Sequence, residues 1–166
     1  TEDIEKKAQR MIGKTIWLNN TIDPKSFFNL SSSRFNRFDQ VLVIDTFPYQ
    51  NSNSDYPVWL KVESELKGIG FVRFNGQEGR VGVQDHYYVS DPLPSSWGKQ
   101  VVKKILNKRV EVGMKDRQVR ISIGNPSFVN TTSSRHGIGE QWVYLDQKGY
   151  KTYYQFENGK LTYIND

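Results

Sequence analysis

Cysteine is absent from the 166 residues, which excludes disulfides, thiolate metal sites and cysteine nucleophiles together. Histidine occurs only at His86 and His136. Neither has further ligating residues at metal spacing, so no metal centre is expected. No apolar run approaches the roughly eighteen residues that a membrane-crossing helix needs, and nothing at the start resembles a secretory apolar region. No nucleophile elbow is present. Gly68-Ile69-Gly70 and Gly137-Ile138-Gly139 do not continue into a dinucleotide fingerprint and read as loops. Glu63 and Glu65 would share one side of an extended chain, as a glycosidase pair does, but strand-end carboxylates are better read as solvated. His86, beside Tyr87 and Tyr88, reads as a surface or edge residue of a strand. No cofactor is expected.

Charge is present but unevenly placed. Residues 1–93 hold eleven Lys/Arg and twelve Asp/Glu, a net of −1, whereas residues 94–166 hold twelve and six, a net of +6. The excess concentrates further. Between Ser95 and Arg120, eight basic residues (Lys99, Lys103, Lys104, Lys108, Arg109, Lys115, Arg117, Arg120) face only Glu111 and Asp116. The basicity therefore belongs to one local surface.

The pattern of the first part is that of short strands. Glu2–Met11 suggests a short helix, Lys14–Asn19 a first strand, and Ser26–Phe38 a long loop. Phe38–Phe47 has an unbroken apolar centre that predicts a strand buried on both faces. A polar hairpin tip follows at Gln50–Asp55, closed by Pro57. Val58–Glu63, Gly70–Phe74, Arg80–Val83 and His86–Val89 are the next strands. This spacing predicts a small antiparallel β-barrel over residues 1–93.

Asp91-Pro92-Leu93-Pro94 marks the boundary, because two prolines remove backbone donors and disfavour helix before them. From Trp97 the apolar period changes to about 3.6. Val101, Val102, Ile105 and Leu106 fall in one arc of the wheel, with Lys99, Lys103, Lys104 and Lys108 outside it, as in an amphipathic helix with a lysine-rich outer face. A second helix is predicted from Lys115 to Ile123, stopped by Gly124-Asn125-Pro126. Ser127–Gly139 reads as a flexible loop. The tail then gives three strands, Gly139–Leu145, Lys151–Phe156 and Leu161–Ile164, the last two joined by Asn158-Gly159, a strong hairpin signal. The fold class is α+β: a small barrel, then over residues 94–166 a two-helix hairpin packed on a three-stranded antiparallel sheet.

Gly113-Met114, Gly124-Asn125-Pro126 and Glu140-Gln141-Trp142-Val143-Tyr144 make residues 97–166 resemble the SmpA/OmlA type of small bacterial envelope lipoprotein domain. That arrangement is also found in β-lactamase inhibitor proteins. One departure concerns the second helix: Lys115 stands where the family usually has a Ser or Thr able to cap it, so the cap must come from elsewhere, Asp116 being the candidate. Val58-Trp59-Leu60-Lys61-Val62, Gly68–Val72 and Tyr87-Tyr88-Val89 are similar to bacterial Src-homology-3-type barrels. Both resemblances imply an exported protein of the periplasm or cell envelope that binds a partner rather than catalyses. Since the chain begins at Thr1 rather than Met, a leader or lipid-attachment segment is expected to be absent from it.

The binding residues expected are the basic face, Lys99, Lys103, Lys104, Lys108, Arg117 and Arg120, and the aromatic candidates Trp59, Tyr87, Trp142, Tyr144 and Tyr153. A solvated helix face and an aromatic core are the plainer alternatives. An envelope protein or an anionic membrane surface is the partner that the basic face suggests, and a cell-wall glycan the one that the aromatics suggest. Nucleic acid is disfavoured, because no recognition motif accompanies the modest charge.

Overall fold

The computed structural model describes residues 3–48 and 58–166. The chain divides into two compact units, Thr1–Glu78 with Asp85–Pro92, and Gly79–Gln84 with Leu93–Asp166. The polar tip expected at Gln50–Asp55 lies outside the described residues.

The first unit opens with α1 (Ile4–Gln9), capped by Asp3, whose carboxylate accepts the Glu5 N–H at 3.2 Å. Six strands follow: β1 (Thr15–Leu18), β2 (Phe27–Asn29), β3 (Gln40–Pro48), β4 (Val58–Ser64), β5 (Gly68–Phe74) and β6 (Tyr87–Tyr88). They form one antiparallel sheet in the order β2-β5-β4-β3-β1-β6, curled into a half-barrel rather than a closed one. Alternation along β4 sends Val58, Leu60 and Val62 into the core and Trp59, Lys61 and Glu63 to the other face. Ile16, Leu18, Val41, Val43 and Val72 join the same core, which Ala8 and Met11 cover from the N-terminal segment.

Three expectations for this region change. β3 is buried on one face, not two: Val41 and Val43 are inside, but Leu42 is exposed, because the other face of the sheet is not closed over it. The Ser26–Phe38 segment contributes a strand, β2, whose Phe27 ring lies against Gly70. A Cβ at Gly70 would come within 2.6 Å of that ring, so the absence of a side chain there lets β2 approach β5. Arg80–Val83 forms a turn and no strand. It belongs to the second unit, where the Gly82 N–H donates to the Pro126 carbonyl at 3.0 Å and Asn125 Nδ2 donates to the Val83 carbonyl.

The second unit begins with a 3-10 turn at Ser95–Trp97, followed by α2 (Lys99–Leu106) and α3 (Asp116–Ile123). The sheet has four strands rather than three: β7 (Phe128–Ser134), β8 (Gly137–Leu145), β9 (Lys151–Glu157) and β10 (Lys160–Asn165), in the order β10-β9-β8-β7. The extra strand is the segment read as a flexible loop. It turns back at Arg135-His136 and pairs along its whole length with β8, from Phe128 opposite Val143 to Ser134 opposite Gly137. The β9–β10 turn places Asn158 at φ 51° and Gly159 at φ 81°, the positive values a type I′ turn needs.

One face of this sheet carries the core. Trp142, Phe156 and Leu161 pack with Met114 and Val119, and Val101, Ile123, Val129, Tyr144, Tyr154 and Ile164 close the cluster. The link between the helices is stitched to β10: the Gly113 N–H donates to the Leu161 carbonyl at 2.8 Å, the Leu161 N–H to Met114 at 2.8 Å and the Asp116 N–H to Gly159 at 2.9 Å. The start of α3 is satisfied from within rather than by Asp116. Lys115 offers no side-chain acceptor, but its N–H donates to Gln118 Oε1 at 2.8 Å, the reciprocal half of a capping box. Gln118 is itself buried. Its replacement, Gln118→Ala, is expected to lower stability by about 1–2 kcal/mol, while Lys115→Thr, which restores a hydroxyl cap, is expected to raise it by about 0.5–1 kcal/mol. Urea unfolding of the two variants beside the parent checks both signs.

Candidate functional site

The basic residues of the second unit separate by environment. Lys99, Lys103, Lys108 and Arg117 are exposed. Lys104 is half-buried and forms an ion pair with Glu111, a surface contact worth at most about 1 kcal/mol. Arg120 is half-buried too. Its guanidinium lies against Gly79, where a Cβ would come within 2.8 Å of it, and its charge acts on Tyr144. Four of the six expected residues thus remain on an open surface. Arg109 joins them there, while its carbonyl accepts the Ser122 hydroxyl at 2.6 Å and so fixes the end of α2 on α3. Of the two carboxylates in this stretch, Glu111 is taken up by Lys104, and Asp116 is half-buried with its side chain accepting the Arg117 N–H at 2.7 Å. Leu106, expected on the apolar face, is instead 56% exposed, as is Val112, so two apolar side chains stand in the same stretch as the free-standing lysines.

The aromatic candidates divide less favourably. Trp142 is buried in the core beside Phe156, and its indole N–H has no hydrogen-bond partner among the described residues. Tyr144 donates its hydroxyl to the Gly124 carbonyl at 2.8 Å; burial, with the neighbouring Tyr154, raises its pKa well above the usual tyrosine value. Only Tyr153 lies on the sheet face turned from the helices. There it stands in register with Val143 and Phe128, and Tyr163, 61% exposed, is in register with Gln155. Tyr163 was read from the sequence as part of the aromatic face of the last strands, whereas Phe128 was not singled out, because no apolar alternation beyond Val129 marks its strand.

In the first unit Tyr87 is fully buried, and Trp59 is covered by its neighbours. Trp59 meets Phe28 edge-on with centroids 4.9 Å apart, Phe28 stacks on Phe71 at 4.9 Å, and Phe47 meets Phe71 at 6.1 Å. These four rings share the sheet face opposite the core, and Phe47 is 51% exposed. The quartet is an outer patch rather than the lining of a groove.

His86 is not a surface residue. It is 5% exposed, and its Nδ1 lies 2.6 Å from Oγ of Ser26, which is 1% exposed. A hydroxyl–imidazole pair is the contact a nucleophile and its base would make. Here both partners are interior, and the pair ties the approach to β2 to the approach to β6. The neighbouring Asp85 carbonyl accepts Asn19 Nδ2 at 2.6 Å, and the His86 carbonyl accepts the Asn19 N–H at 3.1 Å. Burial, and then the Arg73 cation, lower the His86 pKa to about 4 against the opposing pull of Asp85 and Asp23. Glu78 shifts the opposite way: burial raises its carboxyl pKa although the Tyr87 hydroxyl bonds to it. Glu63 and Glu65 are both exposed, Glu63 on β4 and Glu65 in the following turn, and His136 is exposed in the β7–β8 turn. Among the described residues no cluster of three His, Asp or Glu side chains is placed to hold a metal ion.

No family model, no curated protein and no solved structure matches this chain.

The His86 environment makes a pH prediction with a definite sign. Because the unfolded chain takes up the proton near pH 6.5 and the folded one only near pH 4, stability is full above pH 6.5 and falls as the pH drops through that window. Glu78 works against this, since a raised carboxyl pKa favours the folded state on acidification. Comparison of the parent with His86→Asn, whose amide oxygen can accept from Ser26, isolates the histidine. Between pH 7 and pH 4.5 the parent is expected to lose about 2 kcal/mol more than the variant in urea unfolding.

Proposed function

We propose that this protein is a non-catalytic adaptor of the cell envelope whose second unit holds it to an anionic surface through the outer side of α2 and the start of α3. The observation that carries the reading is the exposure of Lys99, Lys103, Lys108 and Arg117 together, with Glu111 and Asp116, the two carboxylates of the 95–120 stretch, already bonded and with Leu106 and Val112 exposed in the same stretch. Cations near an anionic bilayer contribute about 1 kcal/mol each, and an exposed leucine or valine adds apolar burial on contact. The envelope setting rests on the SmpA/OmlA resemblance, from which the four-stranded sheet departs by one strand. The Src-homology-3-type resemblance of the first unit supports the same setting.

A second reading, a module that binds wall polymer, is favoured by the outer ring cluster of the first unit, Phe28, Phe47, Trp59 and Phe71. Aromatic faces of this kind suit the apolar faces of sugar rings. The two readings separate by substrate: sedimentation with vesicles containing anionic lipid against sedimentation with isolated wall polymer.

The triple substitution Lys99→Glu, Lys103→Glu and Lys108→Glu is expected to weaken binding to anionic vesicles by at least about a hundredfold at low salt, and the parent's own binding should fall as salt rises. Vesicle binding unchanged in the triple variant, or indifferent to salt, would contradict the proposal.

A further inference from the structure

We propose that β7 is a docking edge that adds an extended peptide segment of another protein, one with carboxylates flanking the strand, to the four-stranded sheet. The inference stands apart from the basic face and does not depend on it.

Exposed strand edges invite pairing, and folded proteins protect them with short length, charge, proline, bulges or cover. The other edges here follow that rule. β2 has three residues and β6 two, while β10 is bonded twice to the 113–116 link at Leu161 and is then bent by a bulge between Leu161 and Tyr163. Among the described residues β7 has no such cover. Its seven residues carry no charge and no proline and pair with β8 without a register shift, the one irregularity lying at its entry, where the Ser127 N–H donates to the Val143 carbonyl at 2.8 Å, and the residues from Asn130 to Ser134 are all exposed.

Its free backbone groups can be assigned. The Asn158 N–H donates to the Ile138 carbonyl at 2.9 Å, which makes Gly139 and Glu157 a pair without mutual hydrogen bonds. Alternation then points the backbone groups of Gly139, Gln141 and Val143 at β7. Their partners Thr132, Asn130 and Phe128 point back at β8. Val129, Thr131 and Ser133 therefore turn their N–H and C=O groups outward, where they meet no backbone partner among the described residues.

The charge around the strand selects the occupant. The Lys151 ammonium lies 5.9 Å from the Phe128 ring at one end, and Arg135 follows Ser134 at the other. Glu140, in register with Thr131, is half-buried on the helix side. An incoming strand thus meets a cation at each end. Self-pairing of two copies about Thr131 would bring Arg135 of each toward Lys151 of the other, which disfavours a second copy. Main-chain bonds would supply affinity, and the flanking carboxylates specificity, as in other strand-addition sites.

The test uses the whole chain and two acetylated, amidated peptides of alternating valine and threonine, one ended by glutamates and one by lysines. In the free protein the amides of Val129, Thr131 and Ser133 should exchange with solvent fast while those of Asn130 and Thr132 are protected. The glutamate-ended peptide should slow the three outward amides by at least about tenfold and bind about tenfold more tightly than its lysine-ended twin. Thr131→Pro removes an outward donor without touching the β7–β8 ladder, so it should abolish binding in a protein that still unfolds cooperatively. A glutamate-ended peptide methylated on the amides that face β7 should fail on the unaltered protein. The proposal is overturned by outward amides that neither peptide slows, by equal binding of the two peptides, or by binding that survives either the Thr131→Pro change or the amide methylation. Outward amides already protected in the free protein in a concentration-dependent manner would overturn it in favour of a second copy.

Discussion

The one-sided closure of the four-stranded sheet governs the second unit. Trp142, Phe156 and Leu161 on the sheet need apolar cover, and Met114 and Val119 provide it. Each such side chain contributes about 1.5–3 kcal/mol when fully buried, so the helices have one stable way to lie. Once Val119 and Ile123 face the sheet, Lys99, Lys103 and Arg117 are left in solvent. The basic surface is thus a by-product of where the apolar residues go. The same packing leaves Phe128, Tyr153 and Tyr163 on the other face of the sheet, where Val143 is buried in register with the first two.

The link between α2 and α3 does two things with one set of bonds. By pairing Gly113 and Met114 with Leu161 of β10, and Asp116 with Gly159 in the turn before it, it both positions the first turn of α3 and covers the start of one edge of the sheet. Among the described residues nothing comparable runs along β7. The asymmetry between the two edges follows from connectivity: β10 starts beside a link anchored there, whereas β7 enters from the Gly124-Asn125-Pro126 stop, whose Asn125 amide is spent on the Arg80 and Val83 carbonyls.

The first unit depends on a different compromise. Its half-barrel has an aliphatic interior and an aromatic exterior, and the segments that enter β2 and β6 are tied by polar groups taken out of water. Ser26 and His86 bond to each other, whereas Glu78 keeps one buried carboxyl oxygen without a hydrogen-bond partner among the described residues. Burying an imidazole is tolerable while it is neutral, which makes this tie a pH-dependent one.

Elements with a strong period were legible in the sequence. The Val101–Leu106 arc gave α2, the alternation around Trp142 gave β8, and Asn158-Gly159 gave the last hairpin. β7 was not, because Asn, Thr and Ser in succession carry no apolar alternation beyond Val129, and because its pairing is set by β8 and not by its own composition. The aromatic candidates were misplaced for a related reason. Composition shows that rings are present, but only register tells that Trp142 and Tyr144 share a face with Phe156 while Tyr153 does not. His86 was read as exposed because nothing local to it announces Ser26, sixty residues away in the chain. That Lys115 offers no side-chain acceptor at the start of the second helix was visible, but the remedy required seeing Gln118 turn back to the Lys115 N–H.

Packing of the helices on the sheet leaves Lys99, Lys103 and Lys108 facing solvent, and residue-resolved acylation of lysines in the native protein tests this most directly. Lys99, Lys103 and Lys108 are predicted to react at the rate of a free lysine, with Lys104 slowed by its Glu111 partner. Slow, protected reaction at Lys99, Lys103 and Lys108 in the dilute protein alone would contradict the account.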